Sequence, residues 1–452
     1  MVGGAVTVRC APWPGIVAHA ALRAHGHSLR GCPCHPACLE PGKGRVADRN
    51  LFGESGVALM AGQGGRASQG SGGSEGTKPF SLLVKPVSAN CNLRCEYCFY
   101  RRVGGMYPGR RRMGTNVLEA MVKQLLGLGF SPTAFSWQGG EPTLAGLEFY
   151  RRAVALQARF GFRGQVVANS LQTNGILIDD AWADFLAEYR FLVGLSLDGP
   201  QDLHDAYRKQ GEEGTFLEVM RAAEVLRRHG VEFNILSLVT PMAAARGAEL
   251  YRFFVGEGFT YLQFIPCVER TADSRLAPYT VGAEEYGRFL SDLFDAWLAD
   301  GRRASIRLFD ALLEGLMTGE SPLCVLGRRC DHYLVVEHSG DVYPCDFFVT
   351  RRWQLGNLLQ TPLARLYGSE KHAEFAGLKG LLAPECLACE WSEVCWGGCL
   401  KERQIVGDPR RVASYLCPAS KQFFGHAMGE FRRLAEELAP QVARRGDASG
   451  SQ

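Results

Sequence analysis

Hydrophobic and polar positions divide the chain into stretches of distinct texture. From residue 80 onward, short β-rich runs take turns with longer runs of helical period. "FSLLVKPV", "TAFSWQGGEP", "QVVANSLQTNG", "FLVGLSLDGP", "EFNILSLVT" and "YLQFIPCVE" read as strands, most of them leading into polar or glycine-rich turns. Between them "TNVLEAMVKQLLGLG", "EFYRRAVALQARFG", "DDAWADFLAEY" and "TFLEVMRAAEVLRRHG" place apolar residues at helical spacing, with Thr115 as the candidate N-cap of the first. About six strand–helix units fit between residues 80 and 305, which predicts a parallel sheet with crossover helices. In such folds ligands gather at the carboxyl ends of the strands, where most of the glycine-rich punctuation falls.

Past residue 310 the texture changes. Helical runs persist in "IRLFDALLEGLMTG" and "GHAMGEFRRLAEELAPQVARR", but cysteines dominate between them. "YLVVEHSGDVYPCDFF" predicts a hairpin turned by Ser339, Gly340 and Asp341. At the other end, "AGQGGRASQGSGGSEGTKP" reads as a flexible linker. The expected organisation is an extension over 1–77, a strand–helix domain over 78–310, a cysteine-rich domain over 311–425, and a helix with a disordered tail, "GDASGSQ", over 426–452. The extension reads as disordered, or as a start codon set too early. Its "RGCPCHPACLEPGKGR" holds Cys32, Cys34, His35 and Cys38, spaced too tightly and irregularly for a regular metal site.

Bulk properties remove several classes. The chain has 452 residues, 46% apolar and 21% charged, with a formal net charge of +3. That charge gives no argument for nucleic acid as a partner. No run approaches the roughly 18 unbroken apolar residues of a membrane span. The first thirty residues have arginines scattered through them and no continuous apolar core, so no secretory signal is expected there. Sixteen cysteines in a chain expected to be cytoplasmic point to metal or redox chemistry rather than disulfides.

"CNLRCEYCFY" places Cys91, Cys95 and Cys98 as C-x3-C-x2-C. Thiolates at this spacing hold a 4Fe-4S cluster with one iron left open, and an open position is what a catalytic metal site keeps. A zinc site with a fourth ligand from elsewhere fits the spacing equally well. Downstream lie Cys324, Cys330, Cys345, Cys386, Cys389, Cys395, Cys399 and Cys417, enough for two closed four-thiolate sites. Their densest part, "CLACEWSEVCWGGC", also suits a zinc ribbon. Cys267 ends a predicted strand and reads as a small buried hydrophobe.

The three-cysteine loop, at the carboxyl end of the first strand, resembles the signature of the radical S-adenosylmethionine (SAM) enzymes. The resemblance implies a partial (β/α)6 TIM-like barrel whose Cys91, Cys95 and Cys98 hold the cluster, with SAM on the open iron. "QGGEP" is similar to that family's second-strand motif. It implies Gly140 and Glu141 beside the SAM amino group, Glu141 accepting from the ammonium or bracing the turn. Ser196 in "SLDGP" and Arg208 in "HDAYRKQ" would meet the SAM carboxylate, an Arg–carboxylate pairing being strong. Tyr97 and Val268 would lie at adenine, though both also suit a core.

The downstream run resembles the SPASM extension of the same enzymes, which carries two auxiliary 4Fe-4S clusters, for three in all. That resemblance implies Cys324, Cys330, Cys345 and Cys399 at one, and Cys386, Cys389, Cys395 and Cys417 at the other. Within SPASM proteins, residues 80 to 425 resemble the anaerobic sulfatase-maturating enzymes. Asp346 in "YPCDFF" would then be the general base, and Tyr100 and Gln138 would contact the peptide. The implied reaction oxidises a Cys or Ser in a C/S-x-P-x-R segment of an unfolded sulfatase to Cα-formylglycine. A reducing donor such as flavodoxin or ferredoxin would supply electrons. The rivals are a SPASM enzyme making thioether or carbon–carbon crosslinks in a ribosomal peptide, and a non-catalytic zinc-binding interaction protein. Residues 1–77 have too little apolar periodicity for the peptide-recognition domain that many crosslinking enzymes carry.

Overall fold

The computed structural model describes residues 78–109 and 111–449, with side chains as far as residue 439. The Cys10, Cys32, Cys34, His35 and Cys38 positions and the Gly/Ser linker lie outside the described residues.

All six predicted strands form: β1 (Ser81–Lys85), β2 (Thr133–Trp137), β3 (Val167–Thr173), β4 (Leu192–Ser196), β5 (Phe233–Val239) and β6 (Tyr261–Pro266). Each pairs in parallel with the next. A two-residue strand, β7 (Ser305–Ile306), adds to β6. Helices at Thr115–Leu126, Leu147–Phe160, Asp180–Glu188, Phe216–Arg228 and Gly247–Gly256 make the crossovers. Asp179 caps the third through Trp182 N at 2.9 Å. Thr115 is not a cap. Gly114 holds the N-cap position, and the Thr115 hydroxyl instead accepts from Arg152 Nη1 at 3.0 Å.

Alternation along the strands separates two environments. Leu82 and Val84 of β1 are fully buried in the main core, whereas Leu83 belongs with Tyr100, Val335 and Tyr343 on the other face. On β2 and β3 that second face carries half-buried Ser136 and Ser170, their hydroxyls 2.9 Å apart. The inner wall is therefore polar and partly open, unlike the packed interior of an eight-stranded barrel.

The sheet does not stop at the barrel. β8 (Tyr333–Glu337) lies parallel to β1, in register from Ser81↔Tyr333 to Lys85↔Glu337. The predicted hairpin continues antiparallel into β9 (Asp341–Tyr343), and β10 (Gly356–Asn357) follows. The ten strands run β10-β9-β8-β1-β2-β3-β4-β5-β6-β7.

Two helices run across the boundaries expected at 310 and 425. Helix Arg307–Thr318 spans the expected break at 310 because it grows directly from β7 and packs into the aromatic core of the barrel's end. There Phe309 stacks on Phe423 at 5.6 Å and Phe294 meets Phe431 at 4.9 Å. Each such buried ring contributes roughly 1.5–3 kcal/mol. The last helix, Cys417–Ser449, starts at a cysteine expected to belong to the preceding domain and continues into the segment expected as a tail. Among the described residues no helix is long and apolar enough to cross a membrane.

Candidate active site

The three-cysteine loop leaves the carboxyl end of β1 and is held by backbone contacts. Cys98 N donates to Cys95 O at 3.2 Å, and Leu93 N to Cys91 Sγ at 3.3 Å. The glycine-rich turn after β2 docks directly on its base. Gly140 N donates to Ser88 O and Glu141 N to Asn90 O, each at 2.7 Å. A Cβ on Gly140 would lie 1.9 Å from Asn90 O, so only glycine fits. Gly140 and Glu141 thus join two loops through their backbone.

Glu141 is buried, and its carboxylate accepts four bonds. They come from Thr143 N at 3.1 Å, Thr143 Oγ1 at 2.6 Å, Thr173 Oγ1 at 2.7 Å and Asn174 N at 2.8 Å. That fills its acceptor capacity. Of the two roles expected, bracing the turn is the one this geometry serves. Burial pushes the carboxyl up, and these four donors oppose it.

Arg208 is clamped by Asp198 through Nε at 2.9 Å and Nη2 at 3.2 Å. The Tyr97 hydroxyl donates to the same Asp198, and its ring packs against Tyr207 at 5.6 Å. Burial opposes ionisation of Asp198, but Arg208, His204 and the hydrogen bonds outweigh it and hold the carboxyl below the usual range. Ser196 ends β4, and Val268 follows β6 beside Cys267; all three are buried. Cys267 packs with Cys95 and Tyr97.

Facing this side is a cluster centred on Lys85, which sequence reasoning missed. Lys85 is 1% exposed. Its Nζ donates to Gln138 Oε1 at 2.7 Å, lies 3.7 Å from Asp346 Oδ2, and sits 4.3 Å from the centroid of the Tyr100 ring. Gln138 passes its own amide to Gln172. The Tyr333 hydroxyl donates to Asp346 at 3.1 Å, and Tyr100 donates to Glu337. Burial lowers the Lys85 pKa, and Asp346 and Glu337 pull it back up. The available signal was the matched endings of "SLLVK" and "YLVVE", which the register sets side by side.

The eight downstream cysteines separate into two sets. Cys324, Cys330, Cys345 and Cys399 line one open cavity. Cys386, Cys389, Cys395 and Cys417 line another. Among the described residues no three His, Cys, Asp or Glu side chains are placed to hold a single metal ion. Each set brings four cysteines to one cavity, the ligand number of a closed four-thiolate cluster. Burial pushes the Cys330 thiol up to about 12, so loading a metal there must release its proton.

Comparison with known proteins agrees with this geometry. The Radical SAM superfamily model matches residues 86–243, and that of the SPASM iron-sulfur cluster-binding domain matches 324–390. A cysteine-type anaerobic sulfatase-maturating enzyme of Clostridium perfringens is 41% identical over 368 residues, covering 80% of this chain and 99% of that one. A serine-type enzyme of Bacteroides thetaiotaomicron is 34% identical over 388 residues, covering 81% and 94%. A solved structure described as native anSMEcpe with bound AdoMet and Cp18Cys peptide superposes with a TM-score of 0.75 at 40% identity, covering 80% of this chain and 100% of that one. This chain belongs to the anaerobic sulfatase-maturating enzymes of the radical SAM superfamily.

Proposed function

We propose that this protein oxidises a Cys or Ser side chain, in an extended C/S-x-P-x-R segment of an unfolded sulfatase, to Cα-formylglycine. One placement carries the reading. Asp346, from the auxiliary region, meets Lys85 and through it Gln138 on the barrel's inner wall. A proton acceptor from one region and a substrate-facing amide from the other thus share one buried cation.

Cys91, Cys95 and Cys98 hold the SAM-binding cluster in this reading, and the two sets of four hold the auxiliary clusters. When bound, SAM and the clusters supply the radical that takes a Cβ hydrogen atom and the route by which the remaining electron leaves. Arg208, fixed by Asp198, and Ser196 receive the SAM carboxylate. Gly140 offers backbone to the amino group while Glu141 keeps the turn rigid. Tyr97 and Val268 wall the adenine side. Asp346 takes the thiol or hydroxyl proton of the substrate side chain as it is oxidised, acting as general base. Lys85 and Tyr333 hold that carboxylate in place. Gln138 and Tyr100 border the peptide. With Cys as substrate, water then hydrolyses the thioaldehyde, releasing sulfide and leaving the aldehyde. The reductant is a flavodoxin or ferredoxin, and the reaction takes place in the cytoplasm before the sulfatase folds.

The test is anaerobic incubation with SAM, a reductant and a C-x-P-x-R peptide, followed by mass spectrometry. Conversion of CH2SH to CHO, together with deoxyadenosine, is expected. Loss of two hydrogens with all sulfur retained in a crosslink overturns the reading.

A further inference from the structure

Lys379 and Arg403 are buried at 0% and 1% exposure; Lys379 lines one four-cysteine cavity and Arg403 holds Gly397, which lines the other. Among the described residues neither forms an ion pair with a carboxylate. Lys379 Nζ donates only to carbonyls: Val325 O at 2.9 Å, Gly398 O at 2.5 Å and Trp396 O at 3.4 Å. Arg403 does the same with all five N–H groups. Nε takes Gly397 O at 2.8 Å, Nη1 takes Leu381 O at 3.0 Å and Pro409 O at 3.4 Å, and Nη2 takes Lys379 O at 3.1 Å and Trp396 O at 2.5 Å. The adjacent Glu402 is directed elsewhere, accepting from Ser414 Oγ at 2.6 Å.

The backbone is shaped for this. Trp396, Gly397 and Gly398 follow one another in the left-handed region, with φ of 47°, 69° and 70°. That turn joins Cys395 of one set to Cys399 of the other, and all three of its carbonyls face the two cations. Lys379 lines the cavity of Cys324, Cys330, Cys345 and Cys399. Arg403 feels thiols of both sets, Cys386 and Cys395 on one side, Cys330 and Cys399 on the other.

Carbonyls satisfy hydrogen bonds but do not neutralise charge. Two buried cations with no carboxylate in contact are unfavourable, and the buried Glu402 acts on Lys379 only from a distance. A four-thiolate iron–sulfur cluster is anionic, and its potential responds to local charge and hydrogen bonding. We propose that Lys379 and Arg403 are the built-in counter-charge of both auxiliary clusters, raising their reduction potentials together. This rests on the assignment of the eight cysteines to two clusters.

The test uses full-length, anaerobically reconstituted protein and an EPR-monitored redox titration. Wild-type iron of about twelve per chain supports the cluster assignment by itself; a wild type holding only the barrel cluster overturns it. Lys379→Met is expected to lower both auxiliary potentials so that the reduced-to-oxidised ratio at fixed poise falls about tenfold, about 59 mV for a one-electron couple. The barrel cluster stays unchanged, and Lys379→Arg restores the wild-type values. Full iron with unshifted auxiliary potentials in Lys379→Met overturns the proposal. If Lys379→Met loses iron, Lys379→Arg decides: retained iron at near wild-type potentials supports the counter-charge, and loss in both variants overturns it.

Discussion

The barrel and the auxiliary region each bury cations, and they surround them differently. Lys85 is held by side chains from separate segments: the Gln138 amide, the Asp346 carboxylate and the Tyr100 ring. Lys379 and Arg403 are held by main-chain carbonyls alone. Side-chain partners can change protonation state or give way to a substrate, while carbonyls can do neither. The first arrangement suits a centre where protons move. The second suits one whose charge must stay constant while electrons pass.

Four measurements press on that contrast. Removing Asp346, the proton acceptor proposed beside Lys85, is expected to have the largest effect. Asp346→Asn should cut formylglycine formation by roughly 10²–10⁴-fold while deoxyadenosine still forms, both read in one chromatographic run. Lys85→Met should lower kcat by roughly 10²-fold through misplacement of that carboxylate, with a smaller change in KM. Combined with Asp346→Asn it should add little, since the two act as a unit. Full additivity would break the barrel half of the comparison.

Stripping the iron with a chelator comes next. Amide exchange over residues 379–406 should quicken, because the cations lose their counter-charge, whereas β2 to β5 keep their protection. Equal quickening in both regions would remove the distinction. The smallest effect concerns Asp310, a buried carboxylate with Ser305 as partner and one oxygen unpartnered. Burial raises its pKa to about 7. The unfolded chain releases this proton first, so the folded state loses stability as pH climbs from about 4 to 7. Asp310→Asn should therefore raise the melting temperature at pH 8, with the gain narrowing at pH 5.5. A gain independent of pH would show that another group carries the effect.

Much of this was legible in one dimension. The six strands follow from local alternation, and the grouping of Cys386, Cys389 and Cys395 agrees with their proximity in sequence. What was not legible depends on distant pairing. Lys85 looks like an ordinary strand end until β8 sets Glu337 and the Asp346 hairpin beside it. Asp198 gains meaning only when Arg208 and Tyr97 converge on it. Lys379 in "FAGLKGLLA" and Arg403 in "KERQ" carry no motif, because carbonyl partners leave no mark in composition. Thr115 shows the opposite error: a good capping residue was diverted by a neighbouring helix.

The parallel pairing of β8 with β1 also bears on how the chain is made. During synthesis the first strand emerges early, and its free side waits for a partner encoded after the entire barrel. Until that hairpin leaves the ribosome, the nascent domain exposes a bare sheet edge, a template for unwanted strand addition. Folding cannot finish vectorially, and the last-made part of the sheet seals the first.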